Sequence, residues 1–469
     1  MNKNHFYIFI IFSFILNFIL KLFKIDSMPY SYDEIISVKD TLIDFGHIKH
    51  ESEWDSNPPF YYYCLWIWEK IFGLSELGIR SFSVTFNSLT IVTLGFYLKK
   101  HFDYITAIFF SIIYIFHPTL LNYAQEARCY SLLIFLISLS IICFHNFILN
   151  NNKINLIILG LINFLLIYTH YIAALIIPFQ FLFIILFYKK HIINNIIAGL
   201  ITLFLISLRF TKKQFELIIG VTSDSIKETW IKKATISNLL DFLNTMYFSF
   251  VFFLLILFSI LYFLNKERKV ITNSKNILYY FIFIAAFVPL SFYIIGAITP
   301  IFINRYILFT VPFFLIITAY LITKLNKLGF ILLIVILSFE IYNLKFGVSK
   351  GINFKSVASY TKKFKNKPLV IINKKDVTEL FIFYYDIELF KKIKYNSKAD
   401  LNALNIFDAN TAQEIKEINL IDQKTILLFQ TFDTESENIK INEWFKLNNY
   451  KNSKYNLFEG VKFTLFQKN

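Results

Sequence analysis

Apolar residues run along this chain in blocks long enough to cross a bilayer, separated by short polar clusters. A spanning helix needs roughly 20 predominantly apolar residues. Blocks of that kind occupy 5–24, 79–98, 103–118, 130–149, 154–169, 171–188, 192–210, 242–264, 277–299, 304–323 and 328–346. The apolar region from Ile154 to Tyr188 exceeds one span and divides at Tyr168-Thr169-His170-Tyr171. The pattern predicts an α-helical polytopic membrane protein with about eleven transmembrane helices. The first block has no small-residue cleavage site and reads as an uncleaved helix.

Two polar regions interrupt this pattern. The first outer loop, 25–78, carries Asp33, Glu34, Asp40, Asp44, His47, Glu51, Glu53 and Asp55 before an aromatic stretch, Phe60 to Phe72. That stretch is too short to span and reads as an interfacial helix. Pro58-Pro59 ahead of it predicts an extended turn. The second region begins at 347, where strand-like pieces (Leu369 to Asn373, Thr425 to Gln430, Gly460 to Phe466) alternate with helical ones (Asp376 to Tyr385, Asn438 to Lys446). The expected organisation is a transmembrane catalytic domain over 1–346 and a small external α/β domain over 347–469.

Composition agrees: 56% of the 469 residues are hydrophobic and 19% aromatic, more apolar than ordinary soluble domains. The net charge of +15 does not indicate a nucleic-acid partner, because the basic residues sit in short clusters between apolar blocks. Threading the blocks alternately puts Lys3, Lys99-Lys100-His101, Lys153, Lys189-Lys190-His191, Lys266-Glu267-Arg268-Lys269 and Lys324 to Lys327 on one side. The positive-inside rule makes that side cytoplasmic. The other side holds 25–78, the short turn 119–129, the 169–171 corner, 211–241, 300–303 and the C-terminal domain. The expected location is the inner or plasma membrane, with a cytoplasmic N-terminus and an external C-terminal domain. Three cysteines without metal-ligand spacing indicate neither a disulfide framework nor a zinc site.

The residues able to do chemistry collect at the outer side. Asp33-Glu34 lies just beyond the first span; a carboxylate there can take a proton from an acceptor hydroxyl or amide, and it reads equally as a solvated acidic pair. Gln125-Glu126-Ala127-Arg128-Cys129-Tyr130 opens the fourth span. A guanidinium at that depth needs a carboxylate or a phosphate partner, so Arg128 either pairs with Glu126 or holds a ligand. Asn304-Arg305-Tyr306 opens the tenth span, where Arg305 and Tyr306 either bind a lipid phosphate and offset leaving-group charge or snorkel to ordinary lipid. Arg80 is a second phosphate ligand or an anchor. His170 and Tyr171 are turn residues or substrate contacts. Asp33, Glu34 and Glu126 together are possible ligands for a divalent cation, Mg or Mn, which the sequence does not require.

The whole set, in order and sidedness, resembles the GT-C superfamily of glycosyltransferases. The similarity is to the family 39 group that includes protein O-mannosyltransferases, with lipid A aminoarabinose transferases as relatives. The matching features are Asp33-Glu34, Pro58-Pro59-Phe60-Tyr61, Arg80, Gln125-Glu126-Ala127-Arg128 with Tyr130 and Ser131, Thr169-His170-Tyr171, and Arg305-Tyr306 with Pro312. The resemblance covers about 1–346 and implies a polyprenyl-phosphate sugar donor, in-line displacement with inversion, and a lipid, glycan or protein acceptor. It implies Asp33 as catalytic base, Glu34, Glu126 and Arg128 shaping the acceptor and donor-phosphate site, and Arg305 holding the donor phosphate. Family members often carry a histidine where this chain has Asn57.

Two other readings compete. A transporter or flippase of lipid-linked saccharide predicts mid-membrane charges and two related halves, and neither is evident in the sequence. A lipid-diphosphate-dependent glycan polymerase or ligase shares most of the features above.

Overall fold

Helix follows the apolar blocks along most of the chain in the computed structural model, which describes residues 3–48, 57–150, 152–209, 231–248, 273–347, 353–363, 368–372, 378–392, 401–402, 405–409, 411–418, 423–431, 435–458 and 461–468. Among these, seven helices are long and apolar enough to cross a membrane, or eight if one bent pair is a single span. Two shorter apolar helices, Lys153–Ile167 and Tyr171–Phe187, fall where the Ile154–Tyr188 region was divided. The block 242–264 lies largely outside the described residues, as do Glu51, Glu53, Asp55, Lys266–Lys269 and most of 211–241. The protein is a multi-pass membrane protein.

The bent pair corrects one expectation. The segment 119–124, read as part of a turn, is the helix Pro118–Ala124, set at 62° to Tyr104–Phe116. Pro118 explains the break: it disfavours the α conformation at His117, whose φ and ψ are −65° and 117°, yet suits the first position of a new helix.

The chain divides into two compact units, Met1–Phe23 with Ile43–Phe346, and Lys24–Leu42 with Gly347–Asn469. The part of the first loop that carries Asp33 and Glu34 thus belongs with the C-terminal segment, whereas the sequence reading grouped it with the helices.

Polar contacts inside the helical unit hold its members in register. Asn17 Nδ2 donates to Asn87 Oδ1 (3.1 Å) and Ser88 Oγ (2.8 Å), tying the first helix, Lys3–Leu22, to Glu76–His101. Such pairs between apolar helices supply the specificity that apolar contact alone lacks. Lys99 Nζ lies over the rings of Phe6, Tyr7 and Tyr104 at 4.7, 4.9 and 5.1 Å. Thr106 and Thr323 bring their hydroxyls within 3.3 Å, and the His101 and His145 rings are 4.6 Å apart. The chain segments beside several lysine clusters therefore share one end of this unit.

The aromatic stretch forms the helix Phe60–Phe72. Pro59, expected to be extended, is instead helical (φ −78°, ψ −6°) and serves as its N-cap. Trp66 Nε1 donates to the Ile43 carbonyl (2.9 Å) and Trp68 Nε1 to the Gly78 carbonyl (3.0 Å). The helix ends at Gly73, whose φ of 74° favours glycine. A Cβ on Gly78 would meet the Phe72 carbonyl oxygen at 2.4 Å, so this return of the chain demands glycine.

In the second unit, five strands form one sheet: β1 (Leu369–Ile372), β2 (Ile406–Asp408), β3 (Thr425–Thr431), β4 (Tyr450–Phe458) and β5 (Val461–Lys468), in the order β2-β1-β3-β5-β4. β1 runs parallel to β2 and β3, while β5 is antiparallel to β3 and β4. All four residues of β1 are buried, as expected of a continuous apolar run inside a covered parallel sheet. Its core joins Leu369, Ile371, Ile426, Leu428 and Phe466 with Ile415, Ile441 and Phe445 from the covering helices. The helix Tyr32–Asp40 packs in this unit against Thr378–Tyr385. Lys39 pairs with Glu379, and the Tyr30 ring meets Phe383 edge to face, centroids 5.4 Å apart.

Candidate functional site

The helical unit gathers several of its polar loop residues around His170. This residue follows the helix Lys153–Ile167 and caps the short 3-10 turn Tyr171–Leu175, its Nδ1 accepting from the Ile172 N–H at 3.3 Å. It is 4% exposed. The Tyr306 ring meets it edge to face at 5.1 Å between centroids, and Tyr130 lies at 6.2 Å. Burial first, then the nearby Arg128 and Arg305 guanidiniums, pull its pKa down to about 3, so the ring is neutral at pH 7.

The neighbours of His170 come from distant parts of the chain. Arg128 and Glu126 lie in the link between Pro118–Ala124 and Tyr130–Asn150, and Ser83 fixes that link by donating to the carbonyls of Glu126 (2.6 Å) and Arg128 (3.3 Å). Gln125 anchors its start, with Nε2 donating to the carbonyls of Lys21 (3.0 Å) and Phe23 (2.9 Å). These bonds satisfy backbone acceptors at the end of the first helix that have no partner within it. Arg305 and Tyr306 begin the 3-10 turn Asn304–Thr310, with the Arg305 guanidinium 5.9 Å from the Tyr306 ring centroid. Asn304 Nδ2 donates to Asp241 Oδ2 at 2.7 Å, which fixes the start of the turn.

Of the expected site residues, Arg128, Tyr130, His170, Arg305 and Tyr306 come together here. Glu126 and Arg305 both act electrostatically on Tyr123 and Tyr130, whose rings are 5.3 Å apart. The sequence reading did not name Tyr123: it lies in a segment read as a turn, and no local motif marks it. The Tyr171 ring packs toward a different cluster, formed by Phe164, Ile167 and Tyr168 with Phe60 and Tyr63. The Phe60 N–H donates to the Tyr168 carbonyl at 3.1 Å, which joins the aromatic helix to this corner. Arg80, one turn into Glu76–His101, is 2% exposed, far more buried than a snorkelling anchor.

The two first-loop carboxylates sit in the other unit in different settings. Glu34 is buried, and its Oε2 accepts from both the N–H (2.9 Å) and the Oγ (3.0 Å) of Ser31, the helix N-cap. Asp33, in the same first turn, is half-buried. Among the described residues, no three His, Cys, Asp or Glu side chains come together as a metal site would need.

Two guanidiniums, a neutral imidazole and flanking tyrosine rings form a cluster chemically able to hold an anion. Guanidiniums supply charge-assisted donors to phosphate oxygens, and a buried setting strengthens each interaction.

A family model described as dolichyl-phosphate-mannose-protein mannosyltransferase matches residues 56–210, which contain Arg80, Glu126, Arg128, Tyr130, His170 and Tyr171. The fold is similar to that of ArnT from Cupriavidus metallidurans bound to undecaprenyl phosphate. The TM-score is 0.61 and the sequence identity 10%, over 99% of this chain and 98% of that one. ArnT in the apo state gives a TM-score of 0.60 at 10% identity, over 97% of each chain. The Archaeoglobus fulgidus oligosaccharyltransferase gives 0.54 at 10% identity, over 95% of this chain and 71% of that one. The curated proteins contain no match. The chain thus carries a segment similar to the dolichyl-phosphate-mannose-protein mannosyltransferase family and has a fold similar to those of ArnT and the archaeal oligosaccharyltransferase.

Proposed function

We propose that this protein transfers a sugar from a polyprenyl-phosphate donor to a lipid, glycan or protein acceptor at the outer face of the membrane, with inversion at the anomeric carbon. The observation that carries the reading is the meeting of Arg128 and Arg305 around a neutral, buried His170, walled by Tyr130 and Tyr306. A lipid monophosphate suits that set: its phosphate takes the guanidiniums, and its apolar chain stays in the bilayer. The undecaprenyl phosphate bound by ArnT, a protein of the same fold, supports this donor class.

In the reaction, the acceptor oxygen or nitrogen forms a bond to the anomeric carbon while the bond to the phosphate oxygen breaks on the opposite face. Asp33 takes the acceptor proton, and the lipid phosphate leaves with its charge held by Arg128 and Arg305. Asp33 is preferred to Glu34 as base because Glu34 spends an oxygen on the helix cap. By the positive-inside rule the lysine clusters support a cytoplasmic location for the opposite face, where nucleotide sugars are made, and so support a lipid-linked donor.

The test is transfer from radiolabelled polyprenyl-phosphate sugars in membranes carrying wild type, Asp33→Asn or Arg305→Ala at matched expression. Wild-type transfer lost in both variants is expected. Undiminished transfer by Asp33→Asn would remove the base assignment.

A further inference from the structure

The tautomer of His170 is set by its surroundings. Nδ1 accepts from the Ile172 N–H, which only an unprotonated nitrogen can do. A neutral ring bonded in this way carries its proton on Nε2. That atom is buried and, among the described residues, has no hydrogen-bond partner. A buried N–H without an acceptor is costly, by about 1–3 kcal/mol, and native structures rarely leave one. Tyr306 and Tyr130 flank the ring, and the two charged groups with a resolved electrostatic effect on it are both arginines. Its partner is therefore an acceptor, and the two guanidiniums beside the ring favour an anionic one.

We infer that His170 binds ligand as a fixed neutral donor, its Nε2–H directed to a phosphate oxygen that Arg128 and Arg305 also hold. This deepens the reading above and rests on it. A protonated histidine would add a third positive charge and lose the Ile172 bond. A histidine acting as base would need a free nitrogen, and Nδ1 is engaged while Nε2 bears the proton. The neutral donor instead orients one phosphate oxygen without changing the charge of the site as the pH varies, a task that a third arginine or a lysine would not perform.

Two substitutions separate the donor role from the capping role. His170→Asn places an oxygen near the position of Nδ1 and keeps the cap on Ile172, but has no donor at the Nε2 position. His170→Gln places an amide N–H2 near Nε2. The proteins are purified into nanodiscs and checked for equal thermal unfolding, and binding of undecaprenyl phosphate and of inorganic phosphate is measured by titration from pH 6 to 8. Wild type is expected to bind the lipid with an affinity set by neither His170 ionisation nor the cap. His170→Gln should bind within a few-fold of wild type, and His170→Asn roughly tenfold more weakly, the loss of one charge-assisted bond.

If His170→Asn binds the lipid as wild type does, the donor role is wrong and the residue is a cap. If His170→Gln binds no better than His170→Asn, the donor role is likewise overturned. Wild type that binds no lipid phosphate removes the donor class of the proposed function itself, and this inference with it. A site that takes inorganic phosphate as tightly as the lipid would assign the ligand as the free anion and overturn the lipid assignment. Long-range proton–nitrogen correlation on 15N-histidine protein gives a direct second readout: the His170 ring is expected as the Nε2–H form throughout this range, and an Nδ1–H form or a titration near pH 6.5 contradicts the inference.

Discussion

The backbone N–H of Tyr30 donates to the hydroxyl of Tyr384 at 2.6 Å, across 354 residues of sequence. With the Lys39–Glu379 pair and the Tyr30–Phe383 ring contact, it fastens the Asp33 helix to the C-terminal segment. The C-terminal sheet is thereby part of what holds the candidate base. Tyr384→Phe leaves the fully buried Tyr30 with an N–H that has lost this acceptor, a cost of about 1–3 kcal/mol. Glycosyl transfer is expected to fall at least severalfold in this variant while undecaprenyl-phosphate binding is kept. Equal loss of binding and transfer would mean that the contact supports the whole protein and not the base.

Asp33 and Glu34 are adjacent in sequence and differently placed: Glu34 is buried and caps its helix, whereas Asp33 is half-buried. Glu34→Gln retains an oxygen for the Ser31 N–H, since glutamine serves at this capping position as glutamate does. Its activity should stay within a few-fold of wild type. Asp33→Asn keeps the helix and removes the base, so transfer should fall by a factor on the order of 100 or more. Measured together at matched expression, the two rates rank the carboxylates. A Glu34→Gln variant as inactive as Asp33→Asn would refute the division.

His170 links acidity to stability. Its pKa is about 3 when folded, against an ordinary value of 6.5. Between those values the unfolded chain binds a proton that the folded one does not, so stability rises with pH through this window and falls on acidification. The slope contributed by one group approaches about 1.4 kcal/mol per pH unit. Thermal unfolding at pH 7.5 and pH 5 should therefore show a larger drop for wild type than for His170→Gln. Identical drops would show that the ring is not buried neutral.

Lys21 and Glu340 are both fully buried in the helical unit and interact electrostatically, yet among the described residues neither charged group finds a hydrogen-bond partner. Removing one member leaves the other's buried polar group uncompensated, typically at about 3–5 kcal/mol, whereas replacing both with apolar residues costs far less. Unfolding of Glu340→Leu, Lys21→Met and the double variant should give a strongly non-additive cycle. Additive losses would mean that the two side chains do not sense one another.

Most of the helical pattern was legible because length and hydropathy decide it. The helix Pro118–Ala124 was not, since a proline that ends one helix reads locally as a turn even when it starts the next. In the second unit, β1, β3 and β5 are apolar runs visible in the sequence. β2 has three residues, and β4 reads Tyr-Lys-Asn-Ser-Lys-Tyr-Asn-Leu-Phe with a register shift between Asn452 and Lys454; only pairing with β1 and β5 makes them strands. Arg128 and Arg305, which the fold brings to His170, stand near helix starts and are visible there in the sequence. Tyr123, the tautomer of His170 and the attachment of the Asp33 helix to Tyr384 depend on contacts between distant segments, which no local pattern records.

The most direct measurement of the central claim is product analysis with purified wild-type protein in nanodiscs, offered a radiolabelled sugar as polyprenyl phosphate, polyprenyl diphosphate or nucleotide sugar together with a membrane extract as acceptor. Label is expected to leave only the polyprenyl phosphate donor and enter the acceptor fraction with inverted anomeric configuration, with free polyprenyl phosphate released in equal amount. Label taken from the diphosphate or the nucleotide, or a lipid-linked sugar that changes leaflet with its bond intact, would contradict it.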